Sequence, residues 1–353
     1  MFQLTGLGQV DSTSIYEEDE EDYSMYDDLD FAEDGAKRYC SPKIEGLSPA
    51  KLIYFGYDAM TPYSMSLDSL KFKDGQTEYN AEEKEVTLTH GIRLGCNIPV
   101  ISKTSLVWQM GLNYWETRFS GVGTGNSNIL MEEHSNTFRT LGINTTVFKP
   151  LDDKQFILFQ GSADLNGDYT FSDIMSLSYL KYSAAILWGK RPTEKKQWAV
   201  GLARTYRVGE LNYIPVILYN WTDAANKWGA EVLFPARAKI RRTINPRNML
   251  LAGFELQGQS YRLYKNTTFR NEDLEIRRGE IRLGLEYQFS VKDFIWLSAQ
   301  AGYRINYRYD VDRLENGNEI YRAFGLLSDE PYVMENSLSN PLYFNISLNL
   351  VSP

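Results

Sequence analysis

The sequence predicts an all-β protein: an antiparallel, up-and-down transmembrane β-barrel of about fourteen strands behind a disordered, acidic N-terminal tail. Three observations predict it. Repeated segments alternate apolar and polar residues. Their connections alternate between short and long. Aromatic residues are abundant, with 24 Tyr, 17 Phe and 7 Trp among 353 residues, yet no apolar run approaches the roughly 18 residues that a membrane helix requires. A spanning β-strand exposes apolar side chains to lipid at every second position only, so its average hydropathy stays modest.

The domain division expected is a tail and linker over residues 1–49 and a barrel over 50–353. Residues 1–35 hold 12 acidic and no basic residues, which leaves 34 acidic against 37 basic in the remainder. The run contains Tyr16, Glu17, Glu18, Asp19, Glu20, Glu21, Asp22, Tyr23, Tyr26, Asp27, Asp28 and Phe31. Like charge at that density buries too little apolar surface to offset chain entropy, so the isolated segment is expected to be disordered. Aromatic side chains amid steering charge also fit docking on a basic surface, and these twelve residues are the candidate partner-binding set. A third reading folds the tail back into the barrel as a plug. The opening "MFQLTGLGQVDSTS" has no basic segment followed by an apolar stretch, so the numbering of an exported form is expected to start at the mature chain. Cys40 and Cys96 sit in unlike contexts, without a disulfide framework around them.

The strands follow in order. A first is expected at 51–59. In "VTLTHGIRLGCNIPV" (86–100), Leu88, His90, Ile92, Leu94, Cys96 and Ile98 share one face, and in "SLVWQMGLNYW" (105–115), Leu106, Trp108, Met110, Leu112 and Tyr114 do so. Further strands are expected at 138–148, 155–168, 178–189, 197–208, 212–221, 228–234, 236–244, 248–263, 276–289, 294–308 and 341–351. In the last, Leu342, Phe344, Ile346, Leu348 and Leu350 alternate with Tyr343, Asn345, Ser347 and Asn349. The stretch 228–244 is short for two spanning strands and reads as one kinked strand or a bent hairpin, so twelve strands is the alternative count. Short turns at "SKT", "PLDDK", "NPRN" and "SVKD" contrast with long links at 60–83, 119–136, 264–275 and 309–340, which follows the outer-membrane rule of short periplasmic turns and long external loops. Both termini are then periplasmic.

The polar faces are rich in Gly, Ser, Thr, Asn and Gln, with charges of both signs. Arg93, Asp164, Glu255, Arg278, Glu280, Arg282, Glu286, Arg304 and Arg308 fall on faces expected to point into the lumen. A mixed, self-neutralising lining describes a narrow or plugged barrel better than an ion-selective pore.

"SPAKLIYFGYD" and "IPVILYNWTDAANKWGAEVLFPARAKIRRTINPRNMLLAGFEL" resemble a family of poorly characterised outer-membrane β-barrel proteins from Bacteroidota, a likeness that runs over about residues 48–351. The resemblance implies the same fold and location and carries no activity or catalytic residues.

No enzyme is expected. His90 lies on an apolar face and His134 in a link, neither beside a telling Ser, Asp or Cys. No zinc spacing or phosphate-binding loop occurs, and "DLNGDYTFSD" at 164–173 lacks the ligand order of a calcium loop, so no metal or cofactor is expected. The near-neutral body and acidic tail exclude a nucleic-acid partner on electrostatic grounds. The expected partners are outer-membrane lipid and, through the tail, other envelope proteins. The function expected first is a non-enzymatic accessory or scaffold subunit of a cell-envelope complex, such as secretion or barrel-assembly machinery. The alternative is a small porin or channel for small or hydrophobic solutes.

Overall fold

A computed structural model describes residues 39–71, 77–79, 81–121, 137–170, 177–207, 209–263, 273–314 and 332–351. The tail residues Tyr16 to Phe31 and His134 lie outside them.

Fourteen strands form a closed barrel among these residues. They are β1 (Lys51–Met60), β2 (Leu88–Lys103), β3 (Leu106–Ser120), β4 (Thr137–Pro150), β5 (Gln155–Gly167), β6 (Leu180–Thr193) and β7 (Lys196–Thr205). The second half comprises β8 (Asn212–Thr222), β9 (Trp228–Phe234), β10 (Arg237–Asn245), β11 (Asn248–Arg262), β12 (Leu274–Lys292), β13 (Ile295–Arg313) and β14 (Leu342–Val351). Each pairs antiparallel with its sequence neighbours. β14 closes on β1, with Tyr54 opposite Asn349 and Met60 opposite Tyr343. The stretch 228–244 is a true hairpin, turned at Pro235 and Ala236, which settles the count at fourteen rather than twelve.

The exterior is the face that water should cover and does not. Along β14 exposure alternates strictly: Phe344 and Ile346 are 49% and 62% exposed, whereas Tyr343 and Ser347 are buried. Leu112, Ile143, Ile186, Leu202 and Leu285 continue this apolar surface around the barrel. So wide an apolar surface is what lipid requires and what a soluble protein avoids. At the short-turn end, Trp188 meets Trp198 edge-on at 5.8 Å, and Lys190 and Arg242 lie over the rings of Trp188 and Trp228 at 5.5 and 5.2 Å. Aromatic rings with nearby cations are the pattern of a membrane interface.

The long-loop end is capped. Tyr63–Leu67, Glu82–Val86 and Ser337–Leu338 form a small sheet whose Tyr63, Met65, Val86 and Leu338 pack on Phe119, Phe138, Tyr261, Tyr309 and Val311 of the wall. Phe138 of β4 stacks on Tyr261 of β11 at 4.5 Å, so opposite walls touch here. Just beside them Arg262 of β11 pairs with Gly167 of β5, an approach in which a Cβ on Gly167 would lie 2.7 Å from the Arg262 carbonyl oxygen.

The short-turn end is crossed by residues 39–50, expected from the sequence to be a linker. The Cys40 amide donates to the Asp152 carbonyl at 2.9 Å, and the Glu45 amide to the Glu194 carbonyl at 2.9 Å. Asn226 then holds Glu45 at 2.8 Å, and Ser48 donates from both its amide and its hydroxyl to the Glu231 carboxylate inside the barrel.

Replacing Ile346 by Arg should destabilise the reconstituted protein by roughly 2–4 kcal/mol if it sits near the middle of the bilayer. Denaturant titration in lipid vesicles measures it, and an unchanged midpoint would place Ile346 outside the lipid.

Candidate functional site

The interior divides into a polar half and an apolar half. In the polar half, β1, β2 and β10 to β13 point charged side chains inward at alternate positions and β14 points Tyr343, Asn345, Ser347 and Asn349 inward, as the pleat dictates. Glu280 accepts from Arg278 at 2.9 Å, Arg282 at 2.7 Å and Arg304 at 2.7 Å. Arg282 also reaches Asp58 at 3.6 Å, and Asp58 is bonded by Arg93 and by Asn345. Four guanidiniums thus share two carboxylates. Each also lies over a ring: Arg93 over Trp115 at 4.2 Å, Arg282 over Tyr343 at 5.1 Å, Arg304 over Tyr63 at 5.5 Å and Arg278 over Phe119 at 6.0 Å. The rings supply part of the stabilisation that missing carboxylates would otherwise give. Lower down, Lys239 bridges Glu255 at 2.5 Å and Glu286 at 2.8 Å.

Eight of the nine lumen charges read from the sequence therefore do point inward and are paired. Arg308 departs from the expectation. A bulge between Arg308 and Asn306 leaves Arg308 opposite Gly279, out of phase with Arg304, and its guanidinium goes to Glu210 of the 206–211 loop. Alternation alone carries no sign of a bulge, because one extra residue reverses every position beyond it.

The sequence reading missed Asp58, Lys239, Arg241, Arg207 and Arg237. Lys239, Arg241 and Arg237 alternate on β10, whose status as a separate strand was in doubt; with the hairpin established they fall inward by the same rule. Asp164 stands in no calcium loop: it is held by Arg207 at 2.9 Å, Asn113 at 3.2 Å and Ser162 at 3.1 Å. His90 lies near Tyr57, ring centres 6.0 Å apart, on the outer face. Among the described residues no three His, Cys, Asp or Glu side chains gather as metal ligands.

The apolar half was not anticipated. Inward positions of β4 to β9 carry Phe148, Phe156, Leu158, Ala185, Leu187, Ala203, Val216, Leu218 and Leu233, all buried together.

The wall itself is uneven. β9 and β10 have 7 and 9 residues, whereas β12 and β13 have 19 each, and a strand needs about 9–11 residues to cross a bilayer. Strand β8 pairs with β9 only up to Ile217 opposite Phe234, and β11 pairs with β10 only up to Glu255 opposite Arg237. Above the hairpin tip, therefore, β8 and β11 face each other without a strand between them. One amide bond patches the edge, from Leu256 to the Ala236 carbonyl at 2.8 Å. Over the top of this window the 206–211 loop leans across to β11 and β12. The Ser260 hydroxyl donates to the Gly209 carbonyl at 3.0 Å, and Gly209, at φ 96°, lies so close that a Cβ would stand 2.9 Å from the Arg278 carbonyl oxygen.

Two cavities meet behind the window. One, of about 70 Å³, lies at the window and is lined by Ala185, Leu187, Ala203, Ile214, Val216, Leu233, Phe234, Pro235 and Leu256. The other, of about 160 Å³, is the polar centre of the barrel, lined among others by Tyr54, Asp58, Arg93, Lys239, Glu255, Arg282 and Glu286, and reaching Ser48 and Pro49 at the short-turn end. Arg207 and Arg237 line both.

A closed, antiparallel, all-β barrel with a lipid-facing exterior and two adjacent internal cavities is the class that the geometry defines. The chain belongs to the family described as Domain of unknown function (DUF6268), whose model matches residues 66–350. No curated protein matches it. Among solved structures it is similar to the toluene transporter TodX of Pseudomonas putida, at 8% identity and a TM-score of 0.35, covering 87% of this chain and 91% of that one. It is similar also to the COG4313 outer membrane channel of Pseudomonas putida F1, at 14% identity and a TM-score of 0.35, covering 87% and 98%. The outer membrane protease OmpT of Escherichia coli matches at 9% identity and a TM-score of 0.28, covering 87% and 99%. Scores of this size leave the argument to the strands and cavities themselves.

Two outcomes follow from this geometry. Glu280→Gln, which leaves three guanidiniums around a neutral amide, should cost roughly 3–5 kcal/mol; a lowered denaturation midpoint checks it, and an unchanged one would deny the cluster its structural role. Burial pushes the Cys40 thiol up to about 11, so at pH 8 it carries almost no thiolate. Maleimide should label Cys40 only after unfolding, and rapid labelling of the folded protein would mean that residues 39–50 do not stay packed.

Proposed function

We propose that the protein is an outer-membrane channel that admits small apolar or amphipathic solutes sideways from the membrane. The observation that carries this reading is the adjacency of the window cavity and the polar centre, which share Arg207 and Arg237 in their linings. An apolar solute dissolved in lipid meets Phe234, Ile217 and Ile240 on the exterior, each about half exposed, and behind them a cavity of like polarity. Transfer from lipid to such a cavity costs little, whereas among the described residues the long-loop end is capped by the small sheet around Tyr63 and Met65. The polar centre then leads toward the short-turn end, where residues 39–50 stand in the way. The usual orientation of such barrels, short turns on the periplasmic side, supports a periplasmic position for both termini.

A second reading, an accessory or scaffold subunit of an envelope complex, is favoured by the tight cap and the self-paired charges, with the acidic tail as its contact with partners.

Uptake separates the two. Gram-negative cells that carry the barrel in the outer membrane should take up radiolabelled naphthalene several-fold faster than cells without it. Ala203→Trp, which fills the window cavity, should abolish the gain at equal outer-membrane abundance. Equal rates with and without the barrel would remove the channel reading and leave the scaffold.

A further inference from the structure

The window cavity has an unequal pair of ends. Its sides are largely apolar, formed by Ala203, Val216, Leu233 and Leu256, with Gln160, Thr205 and Arg204 also in the lining; Arg204 is engaged by the Tyr182 carbonyl and the Tyr206 hydroxyl. Its inner end carries two guanidiniums in different states. Arg207 is committed to Asp164 at 2.9 Å. Arg237 has no hydrogen-bond or ion-pair partner among the described residues. The carboxylate opposite it in the β10–β11 register, Glu255, is bonded to Lys239 at 2.5 Å. Arg237 is half-buried, points inward with Lys239 and Arg241, and borders both cavities. Arg237 feels the Glu255 charge at a distance but makes no direct contact with it, so its N–H donors stay open to an anion, and a carboxylate or sulfonate can take two parallel N–H donors from the planar fork.

The geometry points to a binding site for a free, single-tailed amphipathic anion, its carboxylate or sulfonate head on Arg237 and its tail in the apolar cavity below the window. This assignment names the solute class for the lateral channel and rests on that reading for its biological setting, although the site itself does not depend on conduction. The cavity of about 70 Å³ holds a short tail and excludes a diacyl lipid. The order of the two ends also fits the direction of approach: a tail inserts from lipid while the head is drawn toward the positive inner end. Arg207, already neutralised by Asp164, shapes the site without supplying the free charge.

The test is calorimetric titration of the full chain in zwitterionic lipid nanodiscs with hexanesulfonate, which keeps its charge at all working pH values, and with 1-hexanol as the neutral match. Hexanesulfonate should bind more tightly than hexanol. Arg237→Gln should weaken hexanesulfonate about tenfold or more, the loss of a charged hydrogen-bonded pair, and leave hexanol unchanged, while Arg237→Lys should retain part of the affinity. Leu233→Trp, which fills the tail cavity, should weaken both. Heat-modifiable mobility on gels confirms that each variant folds. Equal binding of the two probes, or hexanesulfonate affinity untouched by Arg237→Gln, would overturn the site. Anionic nanodiscs repel the probe at any site, so the variants are compared within them: Arg237→Gln should still weaken hexanesulfonate about tenfold, and loss of that ratio would mean that headgroups occupy Arg237 and would overturn the free-solute assignment. The channel reading fails separately: absent naphthalene uptake together with Arg237-dependent anion binding removes conduction and keeps the site.

Discussion

Inside a bilayer no water is at hand for the backbone, so every amide and carbonyl at membrane depth must find a partner within the protein. That constraint makes the chain close β14 on β1 rather than end in two free edges, and most of the fold follows from it. Once the cylinder is closed, the period of two sends Phe344, Ile346 and Leu348 to lipid and Tyr343, Ser347 and Asn349 inward. The one place where the constraint is loosened is above the β9–β10 hairpin. There the freed edges of β8 and β11 are covered by the 206–211 loop and the Leu256 to Ala236 bond rather than by another strand. A wall completed by loop contacts opens at lower cost than one completed by a ladder, and that is why the window is where access is sought.

The interior answers a second problem, the burial of charge. Around Glu280 and Asp58, four arginines exceed their carboxylates, and aromatic faces make up part of the difference. The cluster lies directly beneath the apolar cap, so the two together seal the long-loop end. The opposite side of the barrel has no such load. Many of its inward positions are aliphatic or aromatic, with the Asp164–Arg207 pair among them, and Arg237 stands at the seam between the two halves.

Much of this was legible in the sequence. Alternation located the strands, with 228–244 open between one and two, and inward parity put eight of nine charges on the side where the structure has them. Three things were not. The 228–244 stretch supports one strand or two, because 7 and 9 residues fall at or below the usual spanning length and only pairing decides. The Arg308 bulge has no local signature. The apolar half was visible only as a breakdown of alternation: in "SAAILW" of β6 and "PVIL" of β8 both faces are apolar, so alternation assigns Ala185, Leu187, Val216 and Leu218 to neither face and only the register turns them inward. Strands β12 and β13 also run longer than their periodic stretches, since beyond the membrane they continue to pair with each other and support the cap. The window belongs to the same category, being a difference in strand height that no single strand records.

The account stands on lateral access. The direct measurement is photolabelling of the reconstituted protein by a lipid-dissolved diazirine, with labelled residues mapped by mass spectrometry. The account predicts label on inward-facing Ala203, Val216 and Leu233 at the window as well as on outward-facing Phe344 and Ile346. Label confined to the outward residues would contradict it.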